Sequence, residues 1–133
     1  DLITKLPEIL KAKQQQFADT GGVHASALFR ADGELIHLAE DVGRHNALDK
    51  LIGYVRRNSV LRPFEQFVMC SGRLGFDIMQ KALVAGIGMV IGIGAPTSLS
   101  LDLARKFDIT LIGFVKNNKY NVYNGEWRIK PNP

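Results

Sequence analysis

Cysteine is almost missing from this chain, and that scarcity removes two classes of protein. Cys70 is the only one in 133 residues, so no disulfide framework can staple the fold. With no C-x-x-C pair and three scattered histidines, His24, His37 and His45, the sequence offers no zinc ligand set. Long apolar runs are lacking as well. The most apolar stretch, Ala82 to Ala95, carries Gly86, Gly88, Gly92 and Gly94 and falls short of the ~20 residues a bilayer span requires. Those glycines also miss the G-x-G-x-x-G spacing of a dinucleotide fingerprint. Neither charge sign dominates: 17 basic and 13 acidic residues leave a net charge of +4. That balance suits an anionic partner without implying nucleic acid. No basic-then-apolar leader opens the sequence, so it reads as cytoplasmic. Methionine occurs only at Met69, Met79 and Met89, and the chain reads as a piece of a longer one.

What is present describes one globular domain. The composition is 46% hydrophobic and 23% charged, and the length suits a single domain spanning 1–133, with 1–19 as a leading helix and linker and 20–133 as the core. Ile3, Leu6, Leu10 and Phe17 fall on one helical face over 2–17, with Pro7 expected in the first turn. Val23, Ala25, Ala27 and Phe29 alternate as a strand. Asp32-Gly33 then predicts a hairpin turn, because both residues tolerate positive φ, and Leu35 to Ala39 returns. Leu48, Leu51, Ile52 and Val55 mark an amphipathic helix beginning near Gly43. Phe67 to Cys70, Met89 to Ile93, Thr110 to Phe114 and Tyr120 to Tyr123 read as strands. Phe76, Met79, Ala82 and Leu83 mark a helix, as do Leu99, Leu103 and Phe107 after Pro96. This alternation predicts an α/β fold, a mixed sheet with helices on both faces.

Three strand-to-helix junctions share a chemistry: Asp41-Val42-Gly43-Arg44-His45-Asn46, Ser71-Gly72-Arg73 and Gly94-Ala95-Pro96-Thr97-Ser98. Each sets small or hydrogen-bonding residues at a helix start, where free N–H groups and the helix dipole favour an anion. Asp41, Thr97 and Ser98 could equally be ordinary helix caps. His45 and Asp49 stand four apart, so a hydrogen bond between them could orient an imidazole, or the pair could simply be solvated. Cys70 lies between a core position and a thiol activated by the following helix start and Arg73. The segment Val115-Lys116-Asn117-Asn118-Lys119, flanked by Phe114 and Tyr120, combines charge, turn capacity and a stacking face, and reads equally as a soluble surface turn.

The motifs taken together resemble a known family. Thr20-Gly21-Gly22-Val23-His24-Ala25, Glu40-Asp41-Val42-Gly43-Arg44-His45-Asn46-Ala47, Ser71-Gly72-Arg73, Ala95-Pro96-Thr97-Ser98-Leu99, Leu111-Ile112-Gly113-Phe114 and Asn121-Val122-Tyr123 are similar, in order and spacing, to the FdhD formate dehydrogenase accessory sulfurtransferases. The resemblance implies a cytidine-deaminase-like layered fold. It also implies a cytoplasmic sulfur carrier that takes persulfide sulfur from a cysteine desulfurase. The sulfur passes to the molybdenum bis-guanine-dinucleotide cofactor before that cofactor enters the formate dehydrogenase apoprotein. A homodimer is implied, without zinc, nucleic acid or membrane as partners, and GDP would mimic the cargo.

Carried over residue by residue, the guanine-binding segment falls on Phe114, Val115, Lys116, Asn117, Asn118 and Lys119. There the lysines stand for arginines and the asparagines for glycines. Arg44, His45, Asn46, Ser71, Gly72 and Arg73 complete the expected cofactor site, at positions where deaminases carry a zinc-ligand helix and a cysteine pair. The family's C-x-x-C loop precedes the T-G-G-V-H-A motif, and no cysteine precedes Thr20 here. The persulfide cysteine is therefore expected upstream of residue 1, with no catalytic residue in the chain itself. The alternative is a non-catalytic docking module for a desulfurase or dehydrogenase apoprotein.

Overall fold

A computed structural model describes residues 2–14, 23–62 and 65–129. Its centre is a six-stranded mixed sheet built from β1 (His24–Arg30), β2 (Leu35–Asp41), β3 (Gln66–Cys70), β4 (Met89–Gly92), β5 (Thr110–Lys116) and β6 (Lys119–Asn124), in the spatial order β2-β1-β3-β4-β5-β6. The pairs β3–β4 and β4–β5 are parallel; β1–β2, β1–β3 and β5–β6 are antiparallel. Strands β2 to β5 therefore end at one edge of the sheet, and β1 and β6 begin there. Helices α2 (Arg44–Asn58), α3 (Phe76–Val84) and α4 (Ser98–Lys106) follow β2, β3 and β4. They start at that same edge.

The strand period of two divides the core between both faces. Val68 and Cys70 point to the α2–α4 layer, where Leu28, Leu48, Leu51, Val55, Ile78, Met79 and Leu111 are buried. Phe67 and Met69 point the other way, to α1 (Leu2–Lys13), with Phe29, Ile91, Ile112 and Val115. Phe29 and Phe67 stack with ring centroids 5.4 Å apart. Each fully buried side chain of this size contributes about 1.5–3 kcal/mol. The sheet is thus covered on both faces, as the sequence pattern predicts.

Three local expectations change, and one falls outside the described residues. Pro7 lies inside α1 beyond its first turn; one intrahelical bond is lost there, while Ile3, Leu6 and Leu10 supply the buried stripe. Phe17, the Asp19–Gly22 break and the leading part of the T-G-G-V-H-A motif lie outside the described residues. Phe76 is exposed at the start of α3, and Ile78 takes the core position beside Met79 and Ala82. In α4, Leu99 is 61% and Phe107 47% exposed, while Ser100 and Ala104 are buried. Small residues let α4 sit close to its neighbours, so the larger side chains mark its rim.

Candidate functional site

The carboxyl edge brings the three junctions and the β5–β6 hairpin into one line. Close backbone approach makes the line possible. A Cβ on Gly94 would stand 3.2 Å from the Gly72 carbonyl and 3.3 Å from the Arg73 Cα. A Cβ on Gly113 would stand 3.0 Å from the Gly94 carbonyl and 3.0 Å from Pro96 Cδ. Hydrogen bonds tie the same segments: the Phe114 N–H donates to Gly94 O at 3.1 Å, and the Leu74 N–H to Ala95 O at 3.2 Å.

The helix starts differ in their capping. Thr97 accepts from the Ser100 N–H at 3.2 Å, so α4 is closed by its own side chain. Gly43 and Gly75 are the N-caps of α2 and α3, and neither start has a side-chain cap. Those two helices keep N–H groups and positive dipole ends facing the edge, beside the exposed Arg44 and Arg73.

Asp41 organises the approach to α2. Its Oδ1 accepts from the Gly43 N–H at 3.0 Å and from Asn46 Nδ2 at 3.4 Å, and Lys50 Nζ lies 2.8 Å from Oδ2. The Lys50 hydrogen bond, then that of Gly43, holds the carboxyl at about 2, below its ordinary 3.8. Asp41 thus stays ionised and shapes the turn. Asn46 is partly committed to it.

Several expected side chains are otherwise engaged. Asp49 gives both oxygens to Lys81, at 2.7 and 2.8 Å, so it does not orient His45. A lysine 32 residues away in sequence outcompetes the helical neighbour. Ser71 Oγ accepts from the Ala25 N–H at 2.9 Å, which fixes the loop to β1. Cys70 is only 4% exposed, and burial pushes its thiol up to about 11, against a lowering contribution from the Ser26 hydroxyl 3.5 Å away. It is a core residue. Among the described residues, no group of three or more His, Cys, Asp or Glu side chains could hold a metal ion.

The expected five-residue loop is a tight hairpin. Asn117 and Asn118 have φ of 52° and 61°, the left-handed pair of a two-residue turn that asparagine tolerates. Lys116 and Lys119 are opposite each other across it. Val115 is fully buried among the α1-side core and cannot face a ligand. Phe114, with φ 54° at a register shift, is turned out to solvent. Lys116 Nζ lies 5.7 Å from its ring centroid. Phe114, Lys116, Asn117, Lys119, Tyr120 and Asn121 line an open cavity of about 580 Å³, large enough for a nucleotide-sized ligand. A separate cavity of about 340 Å³, among Leu51, Val55, Arg56, Leu61 and Ile87, contains none of the edge residues.

The edge also holds a residue to which sequence spacing assigns no role. His24 opens β1 between the ends of β2 and β3, and its Nδ1 would lie 3.2 Å from a Gly72 Cβ, with Arg44 Cδ at 3.3 Å. Gly94 and Gly113, both within the sequence motifs, provide the close packing beneath. Only the strand order reveals the place of His24.

An α/β domain of this topology, with open helix starts, exposed arginines and a basic aromatic hairpin along one sheet edge, carries there the features that suit an anionic ligand at the carboxyl ends of strands. The sequence comparisons make the family explicit. The model of the FdhD/NarQ family matches residues 1–130, and the chain belongs to that family. It is 48% identical over 129 residues to the sulfur carrier protein FdhD of Sulfurisphaera tokodaii, covering 97% of this chain and 51% of the relative. To the FdhD protein of Streptomyces coelicolor it is 46% identical, over 97% and 46% of the two chains. It also resembles the crystal structure of a Desulfotalea psychrophila protein assigned as a formate dehydrogenase accessory protein. The TM-score is 0.86 and the identity 30%, covering 97% of this chain and 55% of the other. The chain therefore spans about half the length of the relatives it matches.

Proposed function

We propose that this chain is the cofactor-binding part of a cytoplasmic, homodimeric sulfur carrier. In this reading, sulfur taken from a cysteine desulfurase reaches the molybdenum bis-guanine-dinucleotide cofactor, bound as cargo, before formate dehydrogenase receives it. The observation that carries the reading is the junction of two uncapped helix starts with a lysine-bearing aromatic hairpin through Gly72, Gly94 and Gly113. Phe114 and Tyr120 offer ring faces for a base, and Lys116 and Lys119 offer charge for phosphate. Arg44 and Arg73 extend that charge along the edge. The burial of Cys70 speaks against it as the sulfur carrier, and in this reading the transferring thiol lies in a part of the protein outside this chain.

Titration with GDP tests the reading. Saturable binding, weakened about tenfold by joint replacement of Lys116 and Lys119 with alanine, supports it; a tenfold loss equals about 1.4 kcal/mol. A folded chain that ignores millimolar GDP overturns it. The buried thiol also favours a second reading, a docking module without chemistry. There the double lysine variant would capture desulfurase or dehydrogenase apoprotein normally, and nucleotide would bind neither form.

A further inference from the structure

Away from the sheet edge, α2 and α3 frame a groove that the nucleotide reading does not use. Two open cavities, of about 340 and 270 Å³, share Ile52 and Arg56 in their walls. Leu51, Val55, Leu61 and Ile87 line the first lobe, and Ile52 and Val84 the second. The sequence builds the groove from two helix faces. Leu48, Leu51 and Val55 turn inward from α2, while Asp49, Ile52, Arg56 and Ser59 climb beside them at spacings of three and four. Those positions cover about 15 Å of helix axis, close to three turns. The Gly86 turn, at φ 85°, brings Ile87 back under the end of α3, where its N–H donates to the Ala82 carbonyl at 3.0 Å. Val84 stands on the rim, 71% exposed.

Charge along the groove is unbalanced. Arg56, Arg62 and Lys81 line it against one carboxylate, Asp49, and Asp49 already holds Lys81 at 2.7 Å. Arg62 Nη1 donates to the Ser59 and Leu61 carbonyls, at 3.3 and 2.8 Å, which fixes the guanidinium without cancelling its charge. Arg56, the cation common to both lobes, has no hydrogen bond or ion pair to another described residue. A guanidinium set between apolar walls is complemented by a carboxylate with apolar neighbours, since its planar fork takes two parallel bonds to such a group. We propose that this groove docks an acidic amphipathic helix of a partner protein. Its carboxylate meets Arg56, and apolar side chains three or four positions to either side enter the two lobes. Two open lobes divided by a cation suit such a run of side chains better than one compact ligand, which a single enclosed cavity would serve. The groove shares no residue with the hairpin cavity, so docking here is independent of nucleotide binding.

The probe is a displayed library of random peptides about twelve residues long, enough for three helical turns, selected on the full chain. Enriched peptides are synthesised and titrated by calorimetry, with circular dichroism confirming that every variant is folded. The expected peptides carry Asp or Glu flanked by Leu, Ile or Phe at spacings of three and four. Their affinity falls about tenfold in Arg56→Glu, the loss of one charge-assisted contact, and comparably in Val84→Asp. Arg57→Glu makes the same change of net charge at an exposed position outside both linings, and leaves affinity within about twofold, as a surface change away from the contact should. Exchanging the peptide carboxylate for lysine restores binding to Arg56→Glu, which a general loss of structure would not allow. Three results overturn the proposal. Selection enriches no acidic and apolar pattern. Binding falls equally in Arg56→Glu and Arg57→Glu, which marks non-specific attraction. Sedimentation shows self-association of the chain that Val84→Asp abolishes, which makes a second copy the occupant.

Discussion

Replacing Gly113 by alanine puts the backbone architecture of the edge under direct load. The added methyl would stand 3.0 Å from the Gly94 carbonyl, 3.0 Å from Pro96 Cδ and 3.1 Å from the Tyr123 ring. Contacts of this kind normally begin near 3.4 Å, so the β4–α4 junction must retreat by several tenths of an ångström. Two of the three neighbours are backbone or a proline ring and cannot simply rotate away. Forcing a methyl into a packed site costs about 1–3 kcal/mol. Removing glycine from the unfolded chain returns about 0.4–1 kcal/mol. The net loss is roughly 1–2 kcal/mol, which for a domain of this size lowers Tm by roughly 3–8 °C. Gly75→Ala is the matched control, because nothing lies within 4 Å of its added Cβ. Calorimetric melting of both variants, followed by GDP titration at a temperature where each is folded, reads the outcome. Gly113→Ala should melt clearly below Gly75→Ala and bind GDP more weakly. Equal melting of the two would refute the claim that close backbone approach holds the edge together.

Other outcomes follow from single residues. Cys70 should resist thiol reagents in the folded chain and react fully once denatured, since burial holds its thiol near 11; rapid labelling of native protein would contradict its core placement. The Asp41 carboxyl is lowered from 3.8 to about 2, so its stabilising contribution is complete above its ordinary value and disappears as pH falls towards 2. Asp41→Asn should therefore melt below the parent at pH 5–7, with the gap closing as the medium is acidified through this range. Met69→Ala, in a fully buried site, should cost about 2–5 kcal/mol in denaturant unfolding.

Much of the fold is legible because local chemistry and tertiary packing agree. Asp32-Gly33 closes β1 on β2 with Gly33 at φ 96°, and Leu48, Leu51, Ile52 and Val55 bury the stripe their spacing implies. Reading fails where bulk is a poor guide to burial. Ser100 and Ala104 hold α4 against its neighbours, while Leu99 and Phe107 stay outside. It fails again where competition is distant, as when Lys81 takes Asp49 from His45. At the site, Arg44, Arg73, Lys116 and Lys119 reach the expected edge, because helix starts and a turn are local events. Val115 does not, because the asparagine pair closes the hairpin sooner than composition suggests and leaves it one position inside the strand. His24 was invisible as an edge residue for a different reason. Its neighbours are set by the insertion of β1 between β2 and β3, a matter of topology.

The Asn117-Asn118 turn has a practical consequence for engineering. Val115 is anchored in the core below the tip, and Lys116 pairs with Lys119 across it. The four residues from Lys116 to Lys119 form an interchangeable cassette, whose charge and hydrogen-bonding pattern can be rewritten while the sheet beneath keeps its register. On the nucleotide reading proposed above, grafting one short segment would change ligand preference along this edge.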